Sequence, residues 1–102
     1  MSDFVRICSQ GDLPATDTVR EFTVEGRALC VANVDGAICV LDGTCPHEGG
    51  PLGEGSIEGG KVVCPWHGWA YDPKTGAAEQ NPSAKVAVYP LKIENGDVLI
   101  EI

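Results

Sequence analysis

Two Asx-Gly dipeptides, each placed between short apolar runs, constrain the fold of this chain more than any other feature. They are Asp35-Gly36 and Asn95-Gly96. A two-residue hairpin of type I′ needs a positive φ at both central residues, which Asn, Asp and Gly tolerate best. The dipeptides therefore predict two β-hairpins. The flanking runs are 28–34 and 37–41 in the first hairpin, and 88–94 and 97–102 in the second.

The remaining segments also favour β-structure. Residues 4–8 and 20–25 alternate apolar and polar side chains, as half-buried strands do. No segment sustains a helical period over 11 residues, and residues 9–16 allow at most one short turn. Because 13 glycines and 7 prolines divide the chain into short runs, we expect six to nine strands in an all-β fold, either a sandwich or a small barrel.

Length and charge exclude several classes of protein. A chain of 102 residues is long enough for one domain. Its formal charge of −8, from 15 acidic and 7 basic side chains, disfavours nucleic acid and favours a basic protein partner. No apolar run approaches the ~20 residues that cross a bilayer, and the first residues do not resemble a signal peptide. We therefore expect a cytoplasmic protein that binds no membrane.

The cysteines and histidines indicate a metal site. Five cysteines without an export signal argue against a disulfide framework. The chain has only two histidines, and each lies within three residues of a cysteine, in Cys45-Pro46-His47 and in Cys64-Pro65-Trp66-His67. Thiolates and imidazoles suit soft and borderline metals. Four such ligands are enough for a tetrahedral zinc or for a two-iron cluster.

The segment 43–60 differs from the rest of the chain. It is rich in Gly and Pro, shows no strand pattern, and contains glutamates but no basic residue. Loops of this length are uncommon in a compact domain and are usually functional. We therefore expect something other than the hydrophobic core to order it.

The spacing of the two pairs separates the alternatives. Structural zinc sites usually present two close cysteines or two close histidines, whereas each loop here offers one of each, and sixteen residues separate His47 from Cys64. In this pattern, C-x-H followed by C-x2-H, the chain resembles the Rieske iron–sulfur proteins. The resemblance implies a small antiparallel β-sandwich, with residues 1–102 as a single domain and a cluster-binding subdomain at about 43–72 formed by the two Cys/His loops.

The resemblance also implies a ligand set for one [2Fe–2S] cluster per chain. Cys45 and Cys64 would hold one iron as thiolates, and His47 and His67 would hold the other as imidazoles. Neutral imidazole places less negative charge on iron than thiolate does. The potential therefore lies above that of an all-cysteine cluster, within roughly −150 to +300 mV.

Three neighbouring positions indicate a potential at the lower end of that range, and a fourth opposes them. High-potential members of the family carry a second cysteine pair that bridges the loops, and those positions correspond to Gly50 and Trp66 here. A serine that hydrogen-bonds a cluster sulfide corresponds to Trp69. Losing that donor lowers the potential. Tyr71, which matches a tyrosine able to donate to a cysteine sulfur, should offset part of the decrease.

Other residues near the motif receive structural or functional interpretations. Pro51 resembles the proline loop that covers the cluster in this family. Trp66 is expected to be partly exposed, shielding the cluster or touching a partner, and Trp69 to pack beneath the loops. Five glycines either bring backbone N–H groups to the cluster or serve as turns: Gly49, Gly50, Gly53, Gly59 and Gly60.

The other three cysteines, Cys8, Cys30 and Cys39, are expected to be buried core residues, since free cysteine behaves as a small hydrophobe. Pairing across the first turn places Cys39 opposite Ala32 and Cys30 opposite Leu41, which disfavours a disulfide between them. The acidic side chains around the first loop form either a docking patch or a solvated face. They are Asp42, Glu48, Glu54 and Glu58.

A cluster of this kind has no open coordination position, so we expect an electron carrier and not an enzyme. Both histidines are used, which leaves none for a mononuclear iron, and no dinucleotide-binding motif is present. The resemblance implies a ferredoxin that carries electrons from an NAD(P)H-dependent reductase to a terminal oxygenase of the aromatic ring-hydroxylating type, docking transiently near His47 and His67. The alternatives are the small subunit of an assimilatory NADH-dependent nitrite reductase and, more remotely, a zinc-stabilised binding module.

Overall fold

Ten strands and two single-turn 3₁₀ helices appear in the residues that the computed structural model describes, which are 4–44, 51–66, 68–81 and 83–101. The all-β prediction is confirmed, with one strand more than the expected maximum. The 3₁₀ turns are Gln10–Asp12 and Leu52–Glu54. The strands are β1 (Phe4–Ser9), β2 (Thr18–Val24), β3 (Arg27–Val34), β4 (Ala37–Asp42), β5 (Ser56–Glu58), β6 (Lys61–Val63), β7 (Ala70–Tyr71), β8 (Val88–Tyr89), β9 (Leu91–Glu94) and β10 (Asp97–Glu101).

These strands form three antiparallel sheets. The terminal sheet has the order β1-β10-β9, the central sheet β2-β3-β4-β8 and the small sheet β5-β6-β7. Pairing of β1 with β10 joins the two ends of the described chain. Among the described residues, no helix is long and apolar enough to cross a membrane.

The first predicted hairpin is confirmed in register as well as in position. Asp35 and Gly36 both have positive φ, 52° and 90°, as a type I′ turn requires. The Gly36 N–H donates to the side-chain oxygen of Asn33 at 2.9 Å. Cys39 lies opposite Ala32, and Cys30 opposite Leu41, as the turn predicted.

The second hairpin is confirmed at its turn but is shorter than predicted. Asn95 and Gly96 have φ of 51° and 81°, and β9 pairs with β10. The expected strand 88–94 is interrupted at Pro90, which has no N–H to donate to a ladder. Val88–Tyr89 instead pairs with β4 in the central sheet, so the chain crosses from one sheet to another at the proline.

The middle of the central sheet, in β3 and β4, is buried on both faces, which explains the near-continuous apolar run of β3. One face packs against the terminal sheet through a core of large aliphatic residues: Leu29, Val31, Val40 and Ile100. The other face packs against the small sheet and its neighbouring segments. Its buried core residues are Cys30, Ala32, Leu41, Leu52, Val62, Cys64, Tyr71, Ala78 and Val86.

Two expectations need correction. Within the segment 43–60, residues 51–60 contain β5 and the fully buried Leu52, so the hydrophobic core does help to order this part of it. The apolar positions there are too few to show an alternating pattern. Cys8 and Cys30 are buried as expected, but Cys39 is only half-buried, because it lines an open pocket together with Val34 and Asp72.

Candidate metal centre

The second Cys/His pair lies on a hairpin loop between β6 and β7. The Val63–Ala70 pair closes the loop, and the N–H of Cys64 donates to the carbonyl of Trp69 at 2.8 Å. The N–H of Gly68 donates back to the Cys64 carbonyl at 3.1 Å, and Gly68 has a φ of 72°, which few side chains tolerate. Cys64 is 2% exposed, so its side chain points into a protected environment.

The aromatic residues of this loop lie where the sequence predicted. Trp66 is 56% exposed. Trp69 is half-buried and packs against the core on the small-sheet side, and Tyr71 in that core is fully buried. The loop base is supported from a neighbouring segment, since the Ala70 N–H donates to the side-chain oxygen of Gln80 at 3.0 Å.

The base of the first Cys/His loop is equally well defined. Thr44 and Pro51 form an isolated antiparallel bridge, and the N–H of Leu52 donates to the carbonyl of Gly43 at 2.9 Å. Pro51 is half-buried at this bridge. Several predicted site residues lie outside the described part of the chain, between or beyond these anchors: Cys45, His47, Gly50 and His67.

A turn at residues 52–55 connects the bases of the two loops. Gly55 abuts the carbonyl of Val63, the residue before Cys64, so closely that no Cβ could be accommodated. A Cβ on Gly53 would lie 2.7 Å from the Cα of Glu21 in β2. The Cys30 thiol of β3 donates to the Leu52 carbonyl at 3.5 Å. The turn is therefore in contact with three strands.

Sequence reasoning gave Cys30 no role in the site, and it left the role of Gly53 open. One available signal was the alternation within β3, where Cys30 and Ala32 are small while Leu29 and Val31 are large. Small residues on one face of a strand indicate that another segment approaches closely there. Burial and the neighbouring Glu21 raise the pKa of the Cys30 thiol to about 12, so it remains protonated and able to donate.

The structure distinguishes between the interpretations of the described glycines. Gly59 and Gly60 have positive φ, 58° and 78°, and a Cβ on either would meet nothing within 4 Å. They are turn residues between β5 and β6. Gly53 does allow a close approach, but the approach is to β2 through Glu21.

The acidic side chains around the first loop do not all lie at the same place. Glu54 is exposed on the turn beside the loop bases. Glu58 pairs with Lys61 at the other end of the β5–β6 hairpin, away from Cys64. The half-buried Asp42 accepts the Thr44 N–H at 3.1 Å. Of these three, Glu54 is the one that is exposed close to the loop bases.

The arrangement fits a cluster with mixed Cys/His ligation. Cys64 provides a buried sulfur at the base of one loop, and Thr44 and Pro51, which flank the other loop, lie beside the turn that contacts Val63. No group of three or more His, Cys, Asp or Glu forms a metal site within the described residues, since they include only one of the four predicted ligands. The donor chemistry of that ligand and the adjacent loop bases agree with the motif.

Comparisons with known proteins identify the family. A profile of the Rieske [2Fe-2S] domain matches residues 3–90. The ferredoxin component of a naphthalene 1,2-dioxygenase system from Pseudomonas putida is 37% identical over 81 residues, which is 78% of each chain. The Sphingomonas yanoikuyae B1 ferredoxin has a TM-score of 0.85 at 33% identity, covering 98% of this chain and 99% of that one.

A third similar structure is a complex of reduced oxygenase and oxidised ferredoxin in carbazole 1,9a-dioxygenase. Its matched chain has a TM-score of 0.81 at 26% identity, covering 95% of this chain and 91% of that one.

An antiparallel β-fold with two Cys/His loops of this spacing defines an iron–sulfur electron carrier. The chain belongs to the Rieske [2Fe-2S] domain family. It carries a [2Fe–2S] cluster and, like the ferredoxin components it is similar to, transfers electrons and is not an enzyme.

Proposed function

We propose that this protein carries single electrons from an NAD(P)H-dependent reductase to a terminal oxygenase of the aromatic ring-hydroxylating type. The similarity to a dioxygenase ferredoxin over 78% of both chains carries this proposal. The bound cluster supplies a site that accepts one electron and releases it without breaking a bond. We expect that site at the end of the small sheet where Cys64 follows β6, with the exposed Trp66 two residues further along the chain.

The proposed ligands are Cys45 and Cys64 on one iron and His47 and His67 on the other. The buried position of Cys64 supports its part, because a buried thiolate is kept from solvent and from oxidation. We propose a single domain over residues 1–102, with the cluster-binding subdomain at about 43–72. Pairing of β1 with β10 and the two cores on one central sheet support this organisation.

We propose a reduction potential near the bottom of the Rieske range. Trp69 is half-buried against the core and has no hydroxyl to donate. Tyr71 is fully buried and keeps its hydroxyl within the same core. Its hydroxyl should offset part of the decrease in reduction potential. A redox titration should give a midpoint well below zero, and a midpoint well above zero would refute this assignment.

An EPR spectrum of the dithionite-reduced protein tests the central proposal. Mixed Cys/His ligation should give a rhombic signal with a low average g. A colourless protein that contains stoichiometric zinc and no such signal would instead be a structural or binding module. A Rieske signal in a protein that copurifies tightly with a large subunit would indicate the nitrite reductase alternative.

We propose that both partners dock where Trp66 is exposed, close to His47 and His67. Aromatic side chains are enriched among residues that dominate binding energy, and Trp66 is the most exposed large hydrophobic residue in the described part of the chain. Glu54, exposed nearby, favours a basic rim on the partner and mainly affects the rate of encounter. Such contacts are expected to be brief and to bury less than ~1,200 Å².

Trp66→Ala should raise the KM for this protein in oxygenase turnover by about tenfold, the effect of ~1.4 kcal/mol. Its potential and EPR signal should stay unchanged. Phe4→Ala is a matched control, because Phe4 is also an exposed aromatic residue, at 38%, but lies in the terminal sheet. Equal effects of the two substitutions would contradict docking at Trp66.

A cytoplasmic location completes the proposal. Cys8 and Cys30 are buried and form no disulfide with another described residue, an arrangement that suits a reducing compartment. The proposed reductase also depends on NAD(P)H, which is a cytoplasmic reductant. Cell fractionation should place the protein in the cytoplasmic fraction, and recovery from the periplasm would overturn this part.

A further inference from the structure

Cys30 lies in the core and also donates a hydrogen bond to a backbone carbonyl. Its thiol lies 3.5 Å from the carbonyl oxygen of Leu52 and is buried. The same oxygen accepts the N–H of Gly55 at 3.0 Å. A carbonyl oxygen has two lone pairs, so the turn and the thiol together use both.

Leu52, which accepts this hydrogen bond, lies between the bases of the two Cys/His loops. Leu52 directly follows Pro51, where the first Cys/His loop ends, and its own N–H holds Gly43 on the other side of that loop. Three residues later, Gly55 abuts the carbonyl of Val63 beside Cys64. A displacement of this turn would therefore change the separation of the two loop bases.

We propose that Cys30 is a positioning residue for the cluster: by donating to the Leu52 carbonyl, its thiol holds the 52–55 turn and thereby sets the separation of the two ligand loops. This inference rests on the proposed ligands at Cys45, His47, Cys64 and His67. The thiol remains a donor throughout the physiological pH range, because burial raises its pKa to about 12.

A purely apolar role for Cys30 makes a different prediction from a donor role. Serine and alanine have nearly the same volume, so Cys30→Ser and Cys30→Ala leave similar space in the core. Serine keeps a donor, whereas alanine does not. If Cys30 only fills space, the buried hydroxyl makes serine the worse substitution. If Cys30 positions the turn, serine restores what alanine loses.

Hydrogen–deuterium exchange of the holoprotein, followed by mass spectrometry, measures the turn directly. The N–H groups of Leu52, Glu54 and Gly55 are hydrogen-bonded within or next to it. Cys30→Ala should speed exchange in a peptide spanning 51–56 by about two- to tenfold, the size of one lost hydrogen bond. Cys30→Ser should restore most of the protection. The rate of cluster loss to a chelator and the shift in reduction potential should rank the variants in the same order.

Matched controls make the result specific. Cys8 is also a buried thiol but lies in the terminal sheet, so Cys8→Ala should leave exchange at 51–56 unchanged. Serine ranking below alanine, or no change at 51–56 in either Cys30 variant, would overturn the proposal.

If Cys30→Ser does not fold, Gly53→Ala tests the same turn, because its Cβ would push the turn away from Glu21. An unchanged rate of cluster loss in that variant would also overturn the proposal. Exchange is readable even if the EPR signal contradicts the proposed ligands, so the two failures are distinguishable.

Discussion

The two faces of the central sheet are packed in different ways. Towards the terminal sheet, the core consists of large aliphatic side chains such as Leu29, Val31 and Ile100, which fill the space between two sheets. Towards the small sheet, β3 contributes Cys30 and Ala32. These small residues allow a turn to approach the strand closely enough for a thiol to reach a backbone carbonyl.

One face of the central sheet mainly stabilises the fold, and the other mainly positions the Cys/His loops. Burial of large aliphatic residues contributes most to the free energy of folding and tolerates small shifts between sheets. Close contacts at Gly53 and Gly55 contribute less apolar burial, but they leave no room for a side chain between the turn and the strands. The positions of the two Cys/His loops depend on these close contacts of the turn. Substitutions on the two faces should therefore have separable effects on unfolding and on the cluster.

The largest contrast is expected between two buried cysteines on opposite sides of the sheet. Cys64→Ala removes a proposed iron ligand, so the purified protein should lose its visible absorbance and its EPR signal. Cys8→Ala in the terminal sheet should keep both, with only the modest destabilisation of a small core truncation. Cluster content is measured as iron per chain. A full cluster in the Cys64 variant would contradict the ligand assignment.

The sequence predicted the hairpins well because their signals are local. Asp35-Gly36 and Asn95-Gly96 have the backbone conformation that their turn type demands, and cross-strand register followed from the first turn alone. The metal motif was equally local. Its two pairs needed only spacing to indicate the family, and the family is confirmed.

What the sequence could not predict depends on contacts between distant segments. The division of the strand at Pro90 follows from a change of sheet, and the order within 51–60 follows from Leu52 entering a core built by other strands. The link between Cys30 and Leu52 spans 22 residues along the chain. No periodicity within either segment reports it.

Truncating a large core residue on each face compares the two cores. Leu29→Ala and Leu52→Ala should each lower the free energy of unfolding by about 2–5 kcal/mol, since both side chains are fully buried. Only Leu52→Ala should also speed cluster loss in the folded protein, because it loosens the turn between the loops. Urea unfolding and chelator kinetics measure the two effects. Faster cluster loss in the folded Leu29 variant would show that the faces are not separable.

A methyl group added at Gly55 tests the close contact between the turn and β6, and it disrupts the core less than truncating a leucine does. Gly55→Ala should destabilise the protein by about 1–3 kcal/mol, because its Cβ would overlap the Val63 carbonyl. Gly11→Ala is the matched control, since a Cβ there meets nothing within 4 Å, and it should change stability by less than about 0.5 kcal/mol. Thermal melts compare them. Equal melting temperatures for the two variants would mean that the turn can move away from β6.

The smallest effect is expected at the turn after β7, where Asp72 accepts the N–H groups of Lys74 at 2.8 Å and Thr75 at 3.3 Å. These hydrogen bonds, led by that from Lys74, hold the pKa of the carboxyl below its usual 3.8. A lowered pKa contributes stability above the unfolded-state value and loses it as the pH falls through the folded-state value. Asp72→Asn keeps an acceptor but loses the charge. The free energy of unfolding of the variant should therefore be lower than that of the wild type at neutral pH. This deficit should shrink as urea unfolding is repeated from about pH 6 down to about pH 3. A difference that stays constant over that range would assign the effect of Asp72 to turn geometry alone and leave its charge without a role.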